Sequence, residues 1–376
     1  MKRILFIYPD PPGFSGQREA GEQIIRALEG EEGFHFFEIR LPGFPRTEGS
    51  LSALLRFVFR SIASFLRLIW VAATHRLDAM YVSLCQTNLL LRRELLLMWL
   101  VNLLQFRKLP TVISLHGSVF MTWNGDEPVA RRFRKALSYA DRVTVLGPNQ
   151  EERITARFVK PGVASIMPNT CEVPLMSEAE IEQKQREADA NGHTILHLST
   201  LMEPKGYLEL IEALPSLQQA TDTIICGKLV STRYDERFAQ LADARRWIKE
   251  QQEKLGFRWL EGAYGDAKSE LFAKATLFVF PSRYPVEAQP LVLLEAMASG
   301  CAIVTSTVGE IPSILGEDAV YLDAVTPADV SDAINTLLAD TPRRVRLALG
   351  GHQRFISSYT LENYRENWRT LFESLG

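Results

Sequence analysis

A chain of 376 residues is too long for one ordinary hydrophobic core and fits two domains of typical size. Hydrophobic residues make up 46% and charged residues 23%, as in ordinary soluble globular proteins, and the formal charge of −3 gives no electrostatic reason to expect a nucleic-acid partner. Cys85, Cys171, Cys226 and Cys301 are far apart and form no CxxC pair, which argues against a zinc site or a disulfide framework and for a reducing cytoplasm.

In chain order, MKRILFIYPD turns polar after five apolar residues, too short for a signal-peptide core, so it predicts a first buried strand. Short apolar runs then alternate with helical stretches, the pattern of parallel sheets with crossover helices. The first half predicts strands at 3–9, 35–41, 79–84, 110–116, 141–146 and 164–168. The second half predicts them at 194–199, 222–226, 257–261, 276–280, 301–306 and 319–323. Two similar sets imply an α/β chain of two doubly wound, Rossmann-like domains. The polar run 177–193, whose one large apolar residue is Ile181, separates them. The expected division is 1–175, 176–355 and a C-terminal helix, 356–376, with aromatics at Phe355, Tyr359, Tyr364, Trp368 and Phe372.

Residues 51–73 are long enough to span a bilayer, which takes about 20 residues. Arg56, Arg60 and Arg67, however, project within roughly 40° of one another at 100° per residue, and three arginines in mid-segment make spanning costly. An amphipathic helix on a membrane surface or on the domain's own sheet is expected instead. The stretch Leu95 to Leu104 is too short to cross.

The chemistry concentrates in YPVEAQPLVLLEAMASG, 284–300. Pro290 suits a first helical position and Gly300 the position just past the end. Leu291 and Val292 then present free N–H groups at the positive end of a helix, a seat for a diphosphate. Glu295 lies five residues beyond Pro290, about 7.5 Å along the axis at 1.5 Å per residue, the distance from a nucleotide's phosphates to its ribose hydroxyls. LVLLEAMA flanks it with apolar residues, so a buried carboxylate in need of partners is expected. Glu287 would face the group carried by the phosphates. Lys205, between a strand and a helix N-terminus, makes a further phosphate site. His116 ends an apolar strand before Gly117, at the sheet edge where α/β folds bind ligands. Gly16 closes the loop 9–16, where glycines allow close backbone approach to a ligand. His193 and His197 straddle a strand start about 13 Å apart and cannot share a metal ion, and no DxD pair follows a strand.

The segment FPSRYPVEAQPLVLLEAMASGCAIVTSTVGEIP resembles the E-x7-E signature of retaining family 4 glycosyltransferases, of the kind found in bacterial polysaccharide and glycolipid synthesis. PPGFSG, SLHG at 114–117, MPNT at 167–170 and STLMEPKGYLELIEA at 199–213 add to that resemblance in order and spacing. It implies a GT-B fold with the active site between two domains and a terminal helix crossing back onto the first. Without a metal or other cofactor, a hexose would pass from a nucleotide diphosphate sugar to an acceptor hydroxyl with retention. Lys205 becomes the basic group on the diphosphate, Glu295 the ribose ligand, His116 a residue beside the transferred sugar, and Glu287 a positioning and electrostatic group. Asn169, in MPNT, reads as a structural turn.

The chain departs from that pattern twice. Ser199 and Thr200 stand where many relatives have Gly-Arg, which leaves Lys228 and Arg233 as substitute cations. Pro290 replaces a usual glycine and leaves Gln289, Leu291 and Val292 to supply the amide pocket. By the resemblance, the acceptor is a saccharide or lipid-linked molecule, and the 51–73 helix favours a membrane surface, which places the protein on the cytoplasmic face. A non-catalytic GT-B binder or scaffold and a GT-B epimerase are the competing readings.

Overall fold

The computed structural model describes residues 1–11, 16–30, 33–43 and 51–375. They divide into two compact units. One comprises residues up to Asn169 together with the C-terminal residues from Leu361, and the other is Thr170–Thr360.

In the first unit, β1 (Lys2–Asp10), β2 (Phe34–Pro42), β3 (Ala79–Ser83), β4 (Thr111–Ser114), β5 (Arg142–Val145) and β6 (Ala164–Ile166) form one parallel sheet in the order β2-β1-β3-β4-β5-β6. In the second, β7 (His193–Leu198), β8 (Thr221–Cys226), β9 (Arg258–Leu260), β10 (Leu277–Phe280), β11 (Ala302–Thr305) and β12 (Val320–Tyr321) run parallel in the order β12-β11-β10-β7-β8-β9. All twelve expected strands are present, with the edge strands β6, β9 and β12 shorter than the apolar runs suggest. Central strands such as LFVF of β10 are buried throughout because helices cover both faces.

The strand order reverses between β1 and β3 in the first unit and between β7 and β10 in the second. Such switch points open a crevice at the carboxyl edge of a parallel sheet. The loops that follow these four strands are therefore where each unit can hold a ligand.

The polar run 177–193 is not a linker. Ser177 and Glu180 form a capping box that starts the helix Glu178–Asn191. Its buried face, Ile181, Gln185 and Ala188, packs on the second unit. Arg344, fully buried, reaches from the helix Thr341–Ser358 to the Gln185 carbonyl at 2.8 Å and to Asp189 at 2.6 Å. The compact units accordingly divide between Asn169 and Thr170, ahead of that helix.

The aromatic C-terminal segment is two helices rather than one. Thr341–Ser358 ends at Tyr359, whose carbonyl accepts from the Thr170 hydroxyl at 2.6 Å, and Leu361–Ser374 follows. Phe355 belongs to the second unit's core. Tyr364, Trp368 and Phe372 pack in the first unit against Phe6, Tyr81 and Phe36. Lys2 donates to the carbonyls of Phe372 and Leu375 at 3.1 and 2.6 Å and seals that helix end.

Trp368 is 1% exposed and its ring lies 5.8 Å from Tyr81 and 5.7 Å from Phe372. Trp368→Ala should lower the unfolding free energy by about 3–5 kcal/mol in a denaturant titration.

Candidate functional site

The second unit's switch point carries the main cluster. After β7 the chain turns through Ser199 and Thr200 into a short turn, Glu203–Lys205, and then into the helix Tyr207–Ala213. Gly206 makes this junction possible. Its φ is +82°, and a Cβ there would sit 2.1 Å from the Pro281 carbonyl oxygen. On the other side of the 281–289 loop, Gly309 has φ +61°, and its Cβ would lie 2.4 Å from the Glu287 carbonyl oxygen. Two backbone approaches open only to glycine thus clamp the loop that carries Glu287.

Within that clamp, the Lys205 ammonium forms an ion pair with the Glu287 carboxylate. The Ser282 hydroxyl donates to the same carboxylate oxygen at 3.0 Å. Lys205 also lies over the rings of Phe280, 5.2 Å away, and Tyr284, 5.1 Å away, both within cation–π range. Glu287 is 7% exposed, so the pair is largely withdrawn from water.

Glu295 sits one helical turn inside the helix Leu291–Ala298 and is 5% exposed. Burial raises its pKa, and Lys268, from the helix Gly265–Lys274, opposes that rise through a 2.5 Å contact. The buried carboxylate therefore has a partner within the chain, one that sequence reading did not foresee. Pro290 is not the first helical residue. Its ψ of 116° makes it the N-cap, with the helix beginning at Leu291, because extended backbone at Pro290 turns the 281–289 loop into the helix. Pro290 has no side chain that could cap this end, and the first turn presents the N–H groups of Leu291 and Val292. Gln289 is buried beside them.

The remaining candidates divide. Arg233 stacks on Tyr234 at 4.8 Å and donates to its hydroxyl at 2.6 Å, and the Tyr234 ring meets Tyr284 edge-on at 5.6 Å. Arg233 is thus brought to the aromatic wall that Lys205 lies against. Lys228 is exposed and its charge acts on Glu261. Thr200 is exposed. The Ser199 hydroxyl is 3.0 Å from His197 Nε2. His197 donates from Nδ1 to the Val279 carbonyl at 2.9 Å, and burial drops its pKa to about 4, so it stays neutral and Ser199 faces inward to it.

Glu203 is a residue that sequence reading missed. Its carboxylate accepts from the backbone N–H groups of Glu236, Arg237 and Phe238 at 2.6, 2.7 and 2.7 Å. One buried side chain two residues before Lys205 thereby pins the loop that presents Arg233.

In the first unit, His116 follows β4. Its Nε2 lies 3.0 Å from the Tyr81 hydroxyl and 2.9 Å from Ser114 Oγ, which accepts from Thr144 at 2.8 Å. Desolvation lowers its pKa to about 4, and its buried Nδ1 has no hydrogen-bond partner among the described residues. Gly16 begins the helix Gly16–Leu28, and nothing lies within 4 Å of a Cβ placed there. Residues 12–15 of the loop before it lie outside the described residues. At this unit's switch point, Glu94 is 1% exposed and accepts from the Cys85 N–H at 3.0 Å. Among the described residues, no group of three or more His, Cys, Asp or Glu side chains is placed to hold a metal ion.

Residues 192–340 match the family profile described as glycosyl transferases group 1. The α-maltose-1-phosphate synthase of Mycolicibacterium smegmatis is 28% identical over 202 residues, 47% of this chain and 49% of that protein. The chain thus spans about half the length of the curated relatives it matches. Anabaena HepE, solved with UDP-glucose, superposes with a TM-score of 0.68 at 17% identity over the whole of both chains. The sucrose-phosphate synthase of Thermosynechococcus elongatus does so with 0.72 at 19% identity, covering 100% of this chain and 99% of that one. The fold is GT-B.

Burial holds the Glu94 carboxyl near pKa 7 against its ordinary 4.5. Its folded pKa exceeds its unfolded one, so the stability it contributes is present below about pH 4.5 and is lost as pH rises through 7. Glu94→Gln keeps an acceptor for Cys85. It should flatten the pH-stability curve between those limits and gain up to about 3 kcal/mol over the parent protein at pH 8, as read by denaturant titration.

Proposed function

We propose that this protein is a retaining hexosyltransferase. It moves a hexose from a nucleotide diphosphate sugar to the hydroxyl of a saccharide or lipid-linked acceptor, without a metal, in cell-surface polysaccharide or glycolipid synthesis. The observation that carries this reading is the meeting of Lys205, Glu287 and the helix start at Leu291 around one switch-point crevice, with Glu295 buried a turn farther on. The family match of residues 192–340 and the UDP-glucose bound by HepE support a nucleotide-sugar donor for the same unit.

In this reading the diphosphate sits on the N–H groups of Leu291 and Val292, with Lys205 and Arg233 opposite, and Glu295 accepts from the ribose hydroxyls. The sugar's anomeric C–O bond to the diphosphate breaks and a new one forms to the acceptor oxygen on the same face. The acceptor's proton passes to the leaving phosphate oxygen. Negative charge growing on the diphosphate is met by the Lys205 ammonium and the helix amides, fixed in place before the reaction. Glu287 positions Lys205 and faces the sugar without attacking it. His116, neutral and with an orphaned Nδ1, offers a hydrogen bond to a sugar or acceptor hydroxyl in the first unit. A peripheral place on the cytoplasmic membrane face, through the helix beginning at Leu51, completes the assignment.

One observation favours a second reading, a non-catalytic sugar-nucleotide binder or scaffold. Thr200 brings no charge to the phosphates, and the Lys205 charge is already matched by Glu287. Release of free nucleoside diphosphate that depends on acceptor separates the two. An epimerase would instead convert the nucleotide sugar to its epimer without acceptor.

A thermal-shift screen with UDP, GDP, ADP and their hexose derivatives should show stabilisation by one base series. Glu295→Ala should then raise the donor KM about 10- to 100-fold, the loss of charged hydrogen bonds worth about 1.5–3 kcal/mol, with kcat less affected. An unchanged KM in a folded variant contradicts the ribose role.

A further inference from the structure

Three neighbouring helices of the first unit share a peculiar surface. Leu51–Thr74 lies beside Asn88–Leu104, which lies beside Pro128–Leu137. The first helix is exposed over most of its initial four turns, with Ala53 the buried exception. Leu55, Phe59, Ile62, Leu66 and Trp70 are more than half exposed, Trp70 at 58%. The helix therefore does not simply rest on the sheet, although its last turns, through Leu68, Val71 and Ala72, do. The second helix adds Leu89, Leu96, Trp99 and Leu103, each also more than half exposed.

The charge carried by these three helices is almost all of one sign. The helices Leu51–Thr74 and Pro128–Leu137 contain no Asp or Glu, and the sole one in Asn88–Leu104 is Glu94, buried at the switch point. Arg56, Arg60, Arg67, Arg92, Arg131 and Arg134 are all exposed, although Arg60 also pairs with Asp10 and Arg134 donates to the Arg157 carbonyl at 3.3 Å. The whole chain is net acidic at −3, so this segregation is local.

Phe106 sharpens the picture. It is 94% exposed and, among the described residues, is the non-glycine residue with positive φ, +53°. It occupies the position after a helix C-cap where glycine is favoured, with its N–H bonded to the Leu103 carbonyl at 3.1 Å and Arg107 N–H to Asn102 at 3.2 Å. A phenyl ring in water on a left-handed backbone gains nothing for folding. The preceding residue, Gln105, donates to the carbonyls of Ala72 and His75 at 2.6 and 2.8 Å, which fixes Phe106 at the C-terminal end of the first helix.

We infer that these three helices form a docking platform for an anionic lipid bilayer. Its apolar side chains enter the acyl boundary, Trp70, Trp99 and Phe106 lie at the headgroup level, and the arginines contact lipid phosphates. Among the described residues no helix is long and apolar enough to cross a membrane, so the contact is interfacial. A second copy of the chain fits less well, because it would bring two arginine-rich faces together. The inference deepens the peripheral placement proposed above and rests on it. Vesicle binding needs no sugar nucleotide, so its failure would leave the transfer reaction standing.

The test is co-sedimentation of the full chain with vesicles of phosphatidylcholine alone and with vesicles that also contain phosphatidylglycerol. Binding is expected to the anionic vesicles, weakening as salt rises, and to fall by about tenfold or more in Phe59→Glu/Leu66→Glu and in Arg131→Glu/Arg134→Glu. Phe106→Gly is the discriminating variant. It relieves the backbone and should melt no lower than the parent, yet bind about tenfold more weakly. The inference is overturned if the parent protein stays in solution with anionic vesicles at low salt. It is equally overturned if light scattering shows a dimer that Phe59→Glu/Leu66→Glu dissociates, or if Phe106→Gly binds as the parent does.

Discussion

A carboxylate removed from water must be given donors or counter-charges, and several of the features described here follow from how this chain meets that demand. Glu203, Glu287 and Glu295 are all buried at the carboxyl edge of the second sheet, and each is satisfied differently. Glu203 collects three backbone N–H groups, Glu287 takes Lys205 and Ser282, and Glu295 takes Lys268. The first fixes a loop, the second a cation, and the third leaves a charged group within a helix of otherwise apolar residues. Uncompensated, any of these would be a heavy penalty. Compensated, they fix the positions of the groups a diphosphate would meet.

The same kind of compensation holds the 281–289 loop in place without regular structure. Gly206 and Gly309 let backbone approach it from both sides, the Ser306 hydroxyl donates to the Ser282 carbonyl at 2.5 Å, and Glu310 N–H reaches the Ala288 carbonyl at 3.3 Å. Fixed electrostatics of this kind are what transition-state stabilisation requires, since donors already in place need no reorganisation when charge develops. The first unit is built on the same plan with different contents. At its switch point are Cys85, Gln17 and Glu94, and beside it a neutral histidine held by two hydroxyls.

Much of this was legible in the chain. Twelve apolar runs marked twelve strands, because parallel strands covered on both faces must be apolar throughout. Glu295 could be found as an acid enclosed by leucines. LLLRRELLLMW around Glu94 carries the same signal, and it passed unnoticed among motifs that pointed elsewhere. Glu203 and Lys268 carry no such mark: neither is enclosed by a run of apolar residues, and their partners lie 33 and 27 residues away. The run 177–193 lies within the second unit and does not separate the two, because one buried isoleucine and a capping box suffice to dock a helix whose other faces stay polar.

Sequence alone determined that two doubly wound sheets would form and which loops would end at their carboxyl edges, because strand periodicity and turn chemistry are local properties of neighbouring residues. It also determined the helix that carries Glu295 and the arginine content of residues 51–73. Only the tertiary structure decided which distant groups meet. Lys205 with Glu287, Glu295 with Lys268 and Arg233 with the tyrosine wall are set by strand order and packing, which join residues far apart in the chain. It alone decided, too, that the first long helix leaves much of its apolar surface uncovered, since burial depends on what the rest of the chain has room to cover.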